Sequence, residues 1–167
     1  GFSGQNTTPI EEVEAIASIA LDHDMQLCVH TIGDRANREL LNIMERLTKQ
    51  QGKNLHELRW RSEHAQHIDP ADIPRFAKLG VIASMQGIHC TSDAPFVVRR
   101  LGEERARTGA YPWRSLLDAG AVVTNGTDVP VEDVNPLESF YASVTRRRHQ
   151  EPEKGLELFP EQRMTRE

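Results

Sequence analysis

Several features that would assign a function at once are missing from this chain. Its 167 residues include only two cysteines, Cys28 and Cys90. That is too few for a disulfide scaffold, and no Cys-x-x-Cys pair is present. Both cysteines adjoin apolar segments and read as reduced, partly buried thiols; a Cys28–Cys90 bridge is the less favoured alternative. Aromatic residues make up only 5% of the chain, and no basic stripe interleaves them. The net charge is −5, from 20 basic and 25 acidic side chains. Neither feature suggests a nucleic-acid partner. No apolar run is long enough to span a bilayer and no signal-peptide pattern opens the sequence, so a cytoplasmic protein is expected. There is no glycine-rich phosphate loop and no Gly-x-Ser-x-Gly turn to expose a nucleophilic serine. The basic run Arg146-Arg147-Arg148-His149 sits at a predicted helix end, where cations suit the helix dipole.

What is present is an ordinary globular composition, 38% apolar and 27% charged, in which helix-like and strand-like stretches alternate. Thr8-Pro9-Ile10-Glu11 has the form of a capping box and predicts a helix to about Asp22, with Ile10, Val13, Ile16, Ala17 and Ala20 on its apolar side. Strands are predicted at about Gln26 to Thr31, Leu58 to Glu63, Val81 to Gln86 and Ala121 to Thr124. Helices are predicted from Asp34 to about Gln50, Asp69 to Gly80, Ala94 to Arg107, Pro112 to Gly120, and Asn135 to about Arg147. The tail from Gln150 onward predicts no element. Strand-then-helix units of unlike sequence imply a parallel α/β sheet: a small open sheet, flavodoxin-like at the extreme, or half of an eight-stranded (β/α) barrel, which takes about 250 residues in full.

Three side chains stand at the carboxyl ends of predicted strands, where parallel α/β proteins carry their chemistry. They are His30, His64 and Asp128. Two imidazoles and a carboxylate form a divalent-metal ligand set. Taken singly, each has a plainer reading: a core histidine bonded to backbone, or a turn aspartate after Gly126-Thr127. The recurrence of the histidine placement one βα unit later raises both histidines above that reading. Adjacent parallel strands lie about 4.8 Å apart, so such side chains can share one ion. Strand alternation turns Glu63 away from His64, toward the helix layer or a salt bridge. Asp34 reads as a helix cap, His56 and His67 as surface histidines, and Glu132 and Asp133 as solvated loop acids. His89 reads equally as a substrate-facing rim residue and as a loop histidine.

Four segments together resemble a known family. His30-Thr-Ile-Gly-Asp34, Arg61-Ser-Glu-His64-Ala-Gln66, Ala83-Ser-Met-Gln86 with His89, and Asn125-Gly-Thr-Asp128-Val-Pro130 closely resemble the amidohydrolase superfamily, in its amidohydrolase 3 branch with N-substituted formamide deformylase. The resemblance covers nearly the whole chain in order and spacing. It implies strands five to eight of a TIM-type barrel over residues 1–149, with 150–167 a tail leading toward a further C-terminal segment. His30 and His64 then match the metal-binding histidines of strands five and six. Asp128 matches the strand-eight aspartate that binds metal and shuttles a proton, and His89 a substrate-facing rim histidine. The cofactor implied is a divalent metal, Zn2+ first, as one or two ions. The substrate implied is a small amide-like molecule, hydrolysed at a non-peptide C–N bond.

One departure from the pattern stands out. The family's strand-one His-x-His pair and strand-four bridging ligand have no counterpart, since only His23 precedes His30. The chain therefore resembles the C-terminal half of a longer enzyme and is expected to have little activity alone. Two unpaired sheet edges and an open barrel face predict a homo-oligomer. The alternative is a non-catalytic half-barrel module, dimeric or completed by a partner.

Overall fold

A computed structural model describes residues 4–149 and 157–166. Four parallel strands form one sheet: β1 (Cys28–Thr31), β2 (Arg61–His64), β3 (Ile82–Met85) and β4 (Val123–Asn125), in the order β1-β2-β3-β4. Sequential order means that every crossover steps the same way, as in a barrel. A flavodoxin-like sheet instead reverses direction at a switch point. The architecture is that of a partial (β/α) barrel.

The helical layer follows from the sequence pattern. Helix α1 (Ile10–Asp22) packs on α2 (Asp34–Gln51), and α2 in turn on α4 (Ile73–Leu79). A single helical turn, α3 (Leu55–Leu58), lies between α2 and β2, where the sequence predicted a connector and the start of a strand. Helix α2 buries Leu40, Leu41, Ile43, Met44 and Leu47, each worth about 1.5–3 kcal/mol when fully buried. That outweighs any propensity term and anchors the layer. Gly52 ends α2 and Gly80 ends α4, both left-handed, with φ of 66° and 75°. Trp60, Phe76, Leu41 and Met44 fill the core, and the Trp60 indole donates to the Met25 carbonyl at 2.8 Å.

The expected capping box is not made. Pro9 occupies the N-cap of α1 and no side chain caps the helix. Ile16 is exposed rather than packed, because α2 covers only one flank of α1. Cys28 is exposed and Cys90 buried, and both are free thiols.

After β3 the chain makes three short helices where one was expected: α5 (Gly87–Ser92), α6 (Ala94–Leu101) and α7 (Glu103–Gly109). Gly102 breaks the predicted helix with φ 82° and ψ 156°, backbone that an L-residue rarely adopts. Helix α8 (Trp113–Asp118) precedes β4, and α9 (Pro136–Thr145) follows it. The α9 N-cap is Asn135, which accepts from the Leu137 amide at 3.1 Å. Helices α5 and α9 pack very closely. A Cβ on Gly87 would lie 2.3 Å from the Ser139 carbonyl oxygen, so only glycine permits this approach.

The tail does not run free where it is described. Leu158 and Phe159 are buried, a 3-10 turn spans Pro160–Gln162, and Gln162 bonds Ser115 through Nε2 at 2.8 Å. The expectation for residues 150–156 lies outside the described residues. No helix among the described residues is long and apolar enough to cross a membrane.

Candidate metal centre

The strands present two faces. Register pairs His30 with Glu63, Glu63 with Ser84, and Ser84 with Thr124. Register partners share a face, so these four line the barrel-interior side, which in this chain is open and polar. The opposite side carries Thr31, Ser62 and Ala83, all buried against helices. There Thr31 and Ser62 hydroxyls meet at 2.5 Å, and Ser62 donates to Asn37 of α2 at 2.9 Å.

Glu63 therefore lies in the row of His30, not in the helix layer. It accepts from Arg61 Nε at 2.6 Å, the salt bridge that was the other expectation. By alternation His64 would point at the helices. It does not, because the strand ends in left-handed backbone, with φ of 73° at His64 and 41° at Ala65. That kink, which the residue types do not announce, brings the His64 ring edge-on to His30 at 4.5 Å between centroids and to 5.8 Å from His89.

His89 comes from α5 and Asp128 from the loop beyond β4. Among the described residues, one group of three offers convergent metal donors: His64, His89 and Asp128, with ligand atoms all within 4.8 Å of one another. His64 and His89 are buried, whereas His30 is exposed and stands beside the group through its contact with His64. His89 Nε2 lies 3.1 Å from Asp128 Oδ2, and Nδ1 lies 3.2 Å from Glu132 Oε1. Ser92 donates to that same Glu132 oxygen at 2.6 Å. Sequence reasoning placed Glu132 in a solvated loop. The one available signal was its position four residues after Asp128, which a turn uses to bring Glu132 back over His89.

His64 Nδ1 is buried with no hydrogen-bond partner among the described residues, an orphan that a metal ion would satisfy. Burial first, and then the neighbouring His30, hold the His64 pKa below its ordinary value. The ring is thus kept neutral, the form that ligates metal. Donor chemistry, burial and convergence all fit a divalent ion.

A second network supports the first. Gln66 Nε2, two residues after His64, donates to Asp93 Oδ2 at 2.8 Å and to the Tyr111 hydroxyl at 2.9 Å. Tyr111 also donates to Asp93, whose amide closes α5 on the His89 carbonyl. The His64 loop and the His89 helix are thereby tied together.

His67 corrects an expectation. It is not a surface histidine: it bridges to Ala110, its ring stacks edge-on to Tyr111, and its Nδ1 is buried without a partner among the described residues. Burial lowers its pKa from 6.5 to about 4. The unfolded chain takes up this proton near pH 6.5 and the folded chain resists until about 4. Stability from this group is complete above that window and is lost as pH falls through it. The expected loss is about 2 kcal/mol between pH 7 and pH 5, approaching about 3 kcal/mol at pH 4. Urea denaturation at those pH values checks it, with His67→Gln expected to flatten the slope by that amount; parallel slopes would refute it.

Known proteins resemble this chain over most of its length. The sequence pattern of the Amidohydrolase family matches residues 2–167. Protein LONG AFTER FAR-RED 3 of Arabidopsis thaliana is 40% identical over 122 residues, 73% of this chain and 21% of that protein. N-substituted formamide deformylase of Arthrobacter pascens is 28% identical over 163 residues, 97% of this chain and 29% of the enzyme. An uncharacterized metal-dependent hydrolase from Pyrococcus horikoshii superposes with a TM-score of 0.80 at 28% identity, over 98% of this chain and 31% of that one. The chain thus spans less than a third of the length of each of these relatives.

Proposed function

This chain belongs to the amidohydrolase family, and on that premise we propose that its parent enzyme hydrolyses a non-peptide C–N bond in a small amide-like substrate with the help of a divalent metal, Zn2+ by the chemistry of its donors. The observation that carries the proposal is the convergence of His64, His89 and Asp128 donor atoms beside the buried, unpartnered His64 Nδ1. His64 and Asp128 would hold the ion, with His30 at ring contact with His64 as the donor from the neighbouring strand. A bound ion would supply a polarised substrate carbonyl and a water acidic enough to be deprotonated near neutral pH.

The remaining work falls to the protein. Asp128 takes the proton from the attacking water as oxygen bonds to the carbonyl carbon. It returns that proton to the nitrogen as the C–N bond breaks, so that an amine departs rather than a strongly basic amide anion. His89 holds the Asp128 carboxylate in place at 3.1 Å and faces the substrate from the rim. The resemblance in sequence to a formamide deformylase favours N-substituted amides as the first substrates to try.

The test uses the whole polypeptide in which this sequence is encoded, incubated with a panel of N-substituted formamides and acetamides. Amine release, abolished by a chelator and restored by Zn2+, is the expected result. Release that survives complete metal removal would overturn the proposal.

A further inference from the structure

His64 reaches the centre only because the chain leaves β2 through left-handed backbone at His64 and Ala65, with φ of 73° and 41°. Two successive non-glycine residues keep such angles only where the surrounding structure holds them. The restraint stands one residue further on. We propose that Gln66, Asp93 and Tyr111 are positioning residues of the reaction: closed into one hydrogen-bonded ring, they set where His64 stands relative to His89. The proposal rests on the metal-dependent reading above and concerns none of the ligands themselves.

Gln66 and Tyr111 are buried and joined twice. The Tyr111 amide donates to the Gln66 carbonyl at 2.7 Å, and Gln66 Nε2 donates to the Tyr111 hydroxyl at 2.9 Å. Asp93 closes the ring, since its Oδ2 accepts from Gln66 Nε2 at 2.8 Å and from the Tyr111 hydroxyl. Burial first, and then Asp93, push the Tyr111 pKa up, so the phenol keeps its proton and stays a donor. A buried network with its members satisfied is rigid.

Asp93 also belongs to the other side of the centre. Its amide donates to the His89 carbonyl at 2.9 Å, and its carbonyl accepts from the Phe96 and Val97 amides at 2.9 and 3.1 Å. It is therefore the joint between α5, which carries His89, and α6. One carboxylate thus fixes both the residue two places after His64 and the turn that follows His89. The two imidazoles stand 5.8 Å apart, one at the ion and one facing the substrate. A misplacement of about 1 Å in such a pair can cost about a hundredfold in rate. Both donors meet the same Asp93 oxygen, so the amide oxygen of an asparagine can take its place.

The experiment compares Tyr111→Phe, Asp93→Leu and Asp93→Asn in the whole polypeptide, with circular dichroism as the check on folding. Tyr111→Phe removes one oxygen and leaves the ring against His67 and Trp113. At full Zn2+ occupancy it should lower kcat for N-substituted formamides about tenfold to a hundredfold, with KM changed less than about threefold. With Co2+ in place of Zn2+, its visible absorption band should shift, because the donors around the ion move. Asp93→Leu should do the same, whereas Asp93→Asn should keep the parent absorption band and a kcat within about threefold of the parent. If Asp93→Leu does not fold, the other two variants decide. Lowered thermal stability of Tyr111→Phe with unchanged kcat and absorption overturns the proposal, and so does an Asp93→Asn variant as impaired as Tyr111→Phe. An unaltered polypeptide that binds Co2+ but releases no amine overturns the hydrolase reading alone, and the absorption bands then decide the positioning. One that binds no Co2+ overturns both.

Discussion

Asp128→Asn should lower kcat of the whole enzyme about 10²- to 10⁴-fold, the range for loss of a positioned general base and acid. The substitution isolates proton transfer better than most. Asp128 sits in left-handed backbone at φ 60°, a region that asparagine tolerates nearly as well, so little strain is added. The amide oxygen keeps the shape of Oδ2 and can still accept from His89. What it cannot do is take a proton from water and return it to the leaving nitrogen. The measurement is kcat at matched ion occupancy, because the same change removes a charged donor and weakens metal binding. A loss below tenfold with the ion in place would mean that the proton moves through another group.

A loss of stability is expected at Arg146, which is fully buried and has no carboxylate among its hydrogen-bond partners in the described residues. Its Nε donates to the Leu158 carbonyl at 2.7 Å and Nη1 to the Tyr111 carbonyl at 2.9 Å, while the guanidinium lies over the Trp113 ring at 4.5 Å. Burial pulls its pKa down, the mark of a cation held at a desolvation cost. Arg146→Met preserves the contact with Trp113 but leaves the Leu158 carbonyl unpaired, while the Tyr111 carbonyl keeps the Trp113 amide at 2.9 Å. An unpaired buried carbonyl costs about 1–3 kcal/mol. Removal of the buried charge returns part of that, so a net loss of about 1–2 kcal/mol is expected. Arg146→Lys, with one point of contact in place of a fork, should fall between the two. Urea denaturation measures both. A Met variant as stable as the parent would show that desolvation cancels the bonds.

Arg146 also marks a limit of what the sequence discloses. Its run of basic residues was read as dipole compensation at a helix end, and the end of α9 is indeed there. That its first member turns inward to hold the tail depends on Leu158 and Tyr111, 12 and 35 positions away, and no local pattern encodes such contacts. The four strands were legible because apolar runs of that length bounded by helix starts have few other uses. Their carboxyl-end residues His30, His64 and Asp128 followed from the same rule.

Details that depend on single backbone angles were not legible. The left-handed φ at His64 reverses the face that alternation assigns, and Gly102 divides a helix whose amphipathic pattern continues on both sides. Taken singly in the sequence, His89 is a rim or loop histidine and Glu132 a loop acid. Their pairing arises only when α5 and the loop after β4 are folded against each other.

The shortness of α5 bears on how the protein is made. A six-residue helix has no stability of its own. Its first two amides are captured by Asn125 and Ser139, which lie 38 and 51 positions downstream. A ribosome that has just finished α5 has therefore delivered His89 to the nascent chain but not to its place. Those contacts become available only when β4 and α9 have emerged. The centre thus depends on elements that follow His89 in the chain, and a message broken before α9 would encode His64, His89 and Asp128 without the scaffold that joins them.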